Sequence, residues 1–155
     1  KDEASGLALL DLDGGATSAG PGLRTEALAG GESLVLVAFG QEGGRRAAVA
    51  LPGQAVETGS GTAVLAPLQP GQAGTPAFDR QGRLAAIVTA DPSDKLLIAG
   101  VAPQRSYRAA GAAALQAMLA KAGASLPAAA PGAALSTGTV VESVGKAVLP
   151  VSCGL

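Results

Sequence analysis

The chain has 155 residues, enough for one domain with a sizeable core, and 48% of them are hydrophobic although only 2% are aromatic. It has no histidine, one cysteine (Cys153) and a net charge of −1. These counts exclude catalysis by a histidine base, an intrachain disulfide and a zinc site of histidine and cysteine ligands. The basic residues are scattered without interleaved aromatic residues, so we expect no nucleic-acid partner. No apolar run approaches the roughly 18 residues that cross a bilayer, so we expect no membrane insertion.

The first two thirds of the chain consist of short apolar runs bounded mostly by Gly, Pro, Asp or Ser, a pattern typical of all-β barrels and sandwiches. In chain order, the predicted strands are residues 7–12, 33–39, 47–51, 61–66, 84–89 and 96–101. Residues 79–83 form a predicted hairpin loop, in which Gly82 is free to adopt a positive φ.

The pattern changes after Pro103. Leu115, Met118, Leu119 and Ala122 recur at helical spacing, which predicts a helix over 106–122 with Ser106 as its N-cap and Gly123 after its end. Residues 124–138 are rich in Ala, Pro and Gly without any period, so they read as a linker. We expect residues 139–155 to begin new ordered structure.

The most informative segment is residues 69–79, Gln-Pro-Gly-Gln-Ala-Gly-Thr-Pro-Ala-Phe-Asp, which precedes the apolar run 84–89. It resembles the nucleophile loop of chymotrypsin-like (trypsin-like) serine proteases, especially the bacterial heat-shock type, with the pattern P-G-N-S-G-G-P. The residues that fall in register are Gly71, Gly74, Pro76, Asp79 and Gly82.

Three further segments resemble the same family in the same order. Residues 6–10 look like the strand that carries the catalytic Asp, residues 32–40 like the opening strand of the second barrel, and residues 98–103 like its final strand. The resemblance implies an all-β fold: a six-stranded antiparallel Greek-key barrel of the trypsin-like fold with a C-terminal α-helix and an extended tail.

The resemblance also implies a division of the chain. Residues 1–32 would supply the last strand of a first barrel and a connecting loop, and residues 33–123 the second barrel with its terminal helix. After the linker 124–138, the tail 139–155 looks like the opening strand of a following or swapped protease-like barrel. Because the chain starts at Lys1 without an initiator Met, we expect it to be a piece of a longer protein.

The catalytic residues of the family are missing. Ala73 stands at the nucleophile position, Gly6 at the position of the acid, and no histidine exists to act as the base. A methyl group cannot attack a carbonyl, and without the acid and the base no nucleophile would be activated. Thr75 also replaces a family glycine. Two lost triad positions favour natural degeneration over an engineered Ser-to-Ala change, so we expect no enzyme activity and no cofactor.

Two features of the loop region each allow two interpretations. The backbone N–H groups of Gly71 and Ala73 either converge as an oxyanion-hole-like anion site or only complete a tight turn. The segment Thr89, Ala90 and Asp91 either accepts an extended peptide as an added strand or is an edge closed by Asp91 and Pro92.

The remaining ionisable groups predict no metal site. Asp11 with Asp13, and Asp91 with Asp94, form pairs that lack further oxygen donors, so we interpret them as solvated turn residues. Cys153 has no histidine partner and reads as an unpaired structural thiol.

These observations lead to one hypothesis and two alternatives. The chain is expected to be an inactive serine-protease-like module that binds peptide or protein, or regulates another domain of its parent chain. Alternatively it is a fragment or engineered form of a genuine trypsin-like endopeptidase, or a purely structural packing domain. The resemblance implies a periplasmic or secreted location.

Overall fold

Six antiparallel strands close on themselves in the computed structural model, which describes residues 1–11, 19–59, 61–90 and 97–152. The strands are β1 (Ser33–Glu42), β2 (Arg45–Thr58), β3 (Gly61–Ala66), β4 (Pro76–Phe78), β5 (Leu84–Val88) and β6 (Arg105–Gly111). Their spatial order is β1-β2-β3-β6-β5-β4, and β4 closes the barrel by pairing with β1. The predicted all-β class and six-stranded antiparallel barrel are confirmed.

Strand β1 is buried on both of its faces. Because side chains alternate along a strand, Leu34 and Leu36 point into the barrel while Val35 and Val37 lie on its outer face. The barrel interior is filled largely by small side chains, so it needs few aromatic residues. Its members are Leu34, Leu36, Ala55, Val64, Ala66, Leu68, Ala77, Ala85, Ala86, Val88 and Tyr107.

A second core lies between the outer face of β1 and two helices, α1 (Ala112–Lys121) and α2 (Thr137–Val144). Val140 and Val144 of α2 are fully buried in it, beside Val35, Val37, Phe78 and Leu115. A 3-10 turn, Gly145–Ala147, follows α2. Among the described residues no helix has the length and apolar character to span a bilayer.

The predicted final strand and the predicted start of the helix are wrong. Residues 98–101 form a tight turn in which Ile98 and Val101 bridge each other and remain about two-thirds exposed. The sixth strand is instead β6, which pairs with β3 and β5 and takes in Ser106, the predicted N-cap. Helix α1 starts at Ala112 because Gly111 and the preceding residues complete the barrel. Gly123, with φ +67°, follows the end of the helix as predicted.

Segment 139–155 was expected to open with a strand, and this prediction is wrong for residues 139–147. They form α2 and the 3-10 turn, with Ser136 as N-cap accepting a hydrogen bond from the Thr139 N–H at 3.1 Å. The cause is tertiary packing, because the outer face of β1 needs an apolar cover that α2 provides. Residues 148–152 are irregular, and Cys153 lies outside the described residues.

The strand predicted at residues 7–12 is also absent from its described part. Residues 8–11 have no regular structure, Leu9 and Leu10 are exposed, and only Leu7 is buried. A strand requires a neighbouring strand that pairs with its backbone N–H and C=O groups, and no strand of the described chain lies beside residues 8–11.

Strand β2 and the hairpin loop after β4 match their predictions more closely. Strand β2 runs through Pro52, beyond the predicted end at residue 51, because β3 pairs with it only from Gln54 onward and so requires no N–H at Pro52. The hairpin loop 79–83 is confirmed, with Gly82 at φ +77°.

The segment 124–138 runs along the barrel. The Leu23 N–H donates to Pro127 O at 2.8 Å and the Ala129 N–H donates to Leu23 O at 3.0 Å. Farther along, the Leu135 N–H donates to Arg80 O at 2.7 Å. These bonds attach the segment to Leu23, which precedes β1, and to Arg80 of the β4–β5 hairpin loop.

Candidate functional site

The loop between β3 and β4 contains a tight turn that is held by hydrogen bonds between its own polar groups. The Thr75 hydroxyl donates to Gln72 O at 2.7 Å, and the Gln69 N–H donates to the Gln72 side-chain oxygen at 2.8 Å. Gly71 and Gly74 adopt φ +83° and +85°, in the left-handed region that favours glycine. Thr75, which stands where the protease pattern has a glycine, is therefore buried and holds the turn through its hydroxyl.

Ala73, at the predicted nucleophile position, lies at the exposed tip of this turn. Within the described part of the chain its N–H donates no hydrogen bond, whereas the Gly74 N–H donates to Val88 O at 2.8 Å. The Ala73 amide thus has no acceptor in the described part of the chain, and the internal bonds of the loop agree with the tight-turn interpretation.

Gly6, the predicted acid position, lies against Thr89. A Cβ added to Gly6 would be 3.3 Å from the Cβ of Thr89, and Gly6 itself adopts φ +73°. Thr89 directly follows Val88, whose N–H donates to Thr75 O at 2.9 Å and whose O accepts from Gly74. The structure therefore brings the acid position, the segment starting at Thr89 and the predicted nucleophile loop to one end of the barrel.

The proposed peptide-binding edge is partly used within the barrel. The N–H groups of Thr89 and Ala90 both donate to Arg108 O, at 3.0 and 3.4 Å. An added strand would need free donors, so these two amides offer it little. Asp91, the third residue of that edge, lies outside the described residues, as do Asp13 and Asp94.

A cavity of about 620 Å³ opens beside Gly6 and Thr89. Its wall is made of hydroxyl-bearing and small side chains together with Arg108 and Glu3. The hydroxyls of Ser5, Thr58 and Thr89 already donate to neighbouring acceptors. The cavity provides room for a ligand, and Thr25 and Thr62 add further hydroxyl groups to its lining.

A smaller cavity, about 160 Å³, lies on the other side of the predicted nucleophile loop. It is lined by Val37, Phe39, Arg46, residues 71–76 and residues 148–151. The two vacant catalytic positions thus face different spaces, Gly6 the large cavity and Ala73 the small one. Sequence reasoning did not place the tail beside the loop.

No model of a known protein family, no curated protein and no solved structure matches this chain. Across the described ranges, no three His, Cys, Asp or Glu side chains gather where they would hold a metal ion.

An ionic network under the hairpin loop is the main polar feature that the sequence did not predict. The Arg83 Nε donates to Asp79 Oδ2 at 2.8 Å, with both side chains less than a tenth exposed, and Arg83 Nη1 reaches Glu26 at 3.0 Å. Arg24 binds Glu32 at 2.6 Å and lies 3.6 Å from Asp79. This network ties the connection before β1 to the β4–β5 hairpin.

The network shifts the pKa values of its outer members. The hydrogen bond from Arg24 holds the pKa of Glu32 below its usual value, and the Ala29 N–H adds to this effect. The same pair raises the pKa of Arg24. The pKa of Glu26 is lowered by its own backbone N–H and then by Arg83. Glu26, Glu32 and Arg24 are therefore charged at neutral pH.

Proposed function

We propose that this chain is a catalytically inactive, serine-protease-like barrel that binds extended peptide or protein segments beside its former nucleophile loop. The observation that supports the proposal is that Gly6 lies against Thr89, whose neighbour Val88 is hydrogen-bonded to Gly74 and Thr75 of the loop. These segments are far apart in the sequence, and the resemblance assigns them to a single catalytic centre.

The strand order supports the same proposal. Strands β4, β1, β2 and β3 are consecutive neighbours, so a later strand returns to lie beside the first of three hairpin-connected strands. This order defines a Greek key. A six-stranded Greek-key barrel is what the resemblance implies for its second barrel.

The chemistry of the residues at the three catalytic positions accounts for the proposed loss of catalysis. The chain contains no histidine, and Ala73 offers a methyl group where an attacking oxygen is needed. An aspartate at Gly6 would be strained, because the backbone there adopts φ +73°, which a Cβ disfavours. A single engineered Ser-to-Ala change would leave the acid position intact, so the pattern favours natural loss.

Restoring the nucleophile tests this half of the proposal. We expect the variants Ala73→Ser and Gly6→Asp/Ala73→Ser to remain unlabelled by a fluorophosphonate probe, with an active serine protease as the positive control. Labelling of either variant would contradict the proposal and support the alternative, a fragment of a genuine endopeptidase whose missing groups come from elsewhere.

The binding half is tested with a random heptapeptide phage library panned against the full chain. We expect enrichment of apolar sequences, and synthetic versions should bind in fluorescence anisotropy. Ala73→Asp should abolish that binding, whereas Ala133→Asp, which alters an exposed alanine of the linker segment, should leave it unchanged. A library that yields no binder would favour the structural packing alternative.

A further inference from the structure

The tail segment 148–151, Val-Leu-Pro-Val, lies at the small cavity beside loop 71–76 but is held there weakly. Val148 is half-buried against the second core and has an extended backbone, with φ −103° and ψ 116°. Leu149 and Val151 are 63% and 66% exposed, and no backbone hydrogen bond joins residues 148–152 to the rest of the described chain. Residues 149–151 can therefore leave the cavity at low cost, whereas Val148 is anchored on the second core.

The opposite wall of the cavity is an open strand edge. Strand β4 pairs with β1 only at Val35 and Leu36, and beyond them no strand of the described residues covers that side of β1. Phe39 O accepts from the Gln72 side-chain amide at 3.3 Å, so the peptide groups of Phe39 face the loop. Because strand residues alternate, the peptide groups of Val37 and Gln41 face the same way.

We propose that the groove between this edge of β1 and loop 71–76 is the peptide-binding site, and that it takes an extended peptide with apolar side chains. In the absence of such a peptide, the chain's own Val148–Val151 segment occupies the groove and competes with it. This inference rests on the proposed function and specifies its site, its ligand class and its internal competitor.

The seated tail identifies the ligand chemistry. The Val-Leu-Pro-Val segment lines the cavity together with the apolar side chains of Val37 and Phe39, while no strand of the described residues pairs with the edge of β1 at Val37 and Gln41. The tail itself makes none of these backbone bonds. A free peptide that pairs with the edge would gain them, which gives it an advantage over the tail.

The test supplies the tail in trans. A fluorescein-labelled peptide, Lys-Ala-Val-Leu-Pro-Val-Ser, copies residues 146–152 and is titrated into the full chain and into Val148→Ser/Leu149→Ser/Val151→Ser. A segment seated in about nine of ten molecules lowers the apparent affinity about tenfold. We therefore expect the triple variant to bind the peptide about tenfold more tightly than wild type does.

A matched variant controls for the loss of exposed apolar surface. Leu97→Ser/Ile98→Ser/Val101→Ser removes three similarly exposed side chains that do not line the groove, and should bind like wild type. Leu149→Ser/Val151→Ser, which keeps the buried contact of Val148, guards against misfolding and should give a smaller gain. In NMR spectra, the peptide should shift the amides of Phe39, Gln41 and Ala73.

Equal affinity of the tail variants and wild type, or no binding of the peptide to any of them, would overturn the inference. Shifts confined to Thr89 and Ala90 would also overturn it, because the peptide would then occupy the other edge. None of these results touches the proposed function, which fails if the random library yields no peptide or if a variant with the restored nucleophile is labelled.

Discussion

Replacing Asp79 by asparagine removes the negative charge at the centre of the buried ionic network. Asp79 is 3% exposed and accepts from Arg83 Nε at 2.8 Å, while its other oxygen accepts from the backbone N–H groups of Gln81 and Arg83. The side-chain oxygen of the introduced asparagine can keep the two backbone bonds. Its NH₂ group, however, would face the Arg83 guanidinium, so two donors would meet and a buried cation would lose its nearest anion.

The size of the effect follows from this geometry. Removing one partner of a buried ion pair typically costs about 3–5 kcal/mol. Because Glu26 remains 3.0 Å from Arg83 and the backbone bonds survive, we expect the lower end for Asp79→Asn, about 3 kcal/mol. Asp79→Ala also leaves the backbone N–H groups of Gln81 and Arg83 without their acceptor, at about 1 kcal/mol each, so we expect the free energy of unfolding to fall by about 5 kcal/mol.

Urea unfolding measures both variants. Tyr107 is the one tyrosine of a chain without tryptophan and is buried in the barrel, so its fluorescence and far-UV circular dichroism report the same core. Lys121→Gln, which cuts the exposed pair with Asp2, is the control and should leave the midpoint unchanged. A loss below about 1 kcal/mol for Asp79→Ala would refute the reasoning, since that is the range of exposed pairs.

Three further changes test other parts of the fold. Val140→Ala/Val144→Ala removes four buried methyl groups of α2, so we expect the free energy of unfolding to fall by about 3–4 kcal/mol in one cooperative urea transition. An unchanged unfolding transition of the barrel would contradict the packing of α2 on β1. Gly22→Ala places a Cβ 2.4 Å from a linker alanine, so we expect faster amide exchange across that contact, whereas Gly20→Ala, with open space around it, should behave as wild type. Because the folded pKa of Glu32 lies below its usual value of 4.5, its ion pair stabilises the fold above about pH 4.5 and is lost as the pH falls through the lowered pKa. Unfolding of Glu32→Gln should therefore depend less on pH in that range, and identical pH profiles would count against the pair.

Some of the barrel strands were predictable from the sequence because their signals are local, whereas β4 and β6 were not predicted. Apolar runs between Gly, Pro and polar turns predicted β1, β3 and β5 closely, and the loop with Gly82 marked a hairpin. Strand β6 was not predictable in this way, because Arg105–Gly111 contains no valine, isoleucine or leucine, and its two arginines and two alanines suit a helix better than a strand. Its pairing with both β3 and β5 overrides that preference.

Helix α2 was missed for the opposite reason. Thr137–Val144 is made mostly of threonine and valine and contains a glycine, and these residues are poor helix formers, so local propensity favours a strand. The Ser136 cap was available as a signal, since its side chain reaches the Thr139 N–H. The candidate site divides likewise: loop 71–76 was readable as a motif, whereas its contact with residues 148–151 arises only from packing.

The uninterrupted apolar run of β1 links these two outcomes. A strand at the surface of a barrel normally alternates, yet Val35 and Val37 are as buried as Leu34 and Leu36, so the sequence requires a cover on the outer face. Helix α2 supplies this cover, and Val148, which follows it, both packs on the second core and lines the groove beside Ala73. Because one short segment serves the core and the groove together, a peptide that displaces residues 148–151 must also loosen the packing at the end of α2. Binding at the groove should therefore raise amide exchange at Val144 and Lys146 while leaving the barrel interior at Val64 protected.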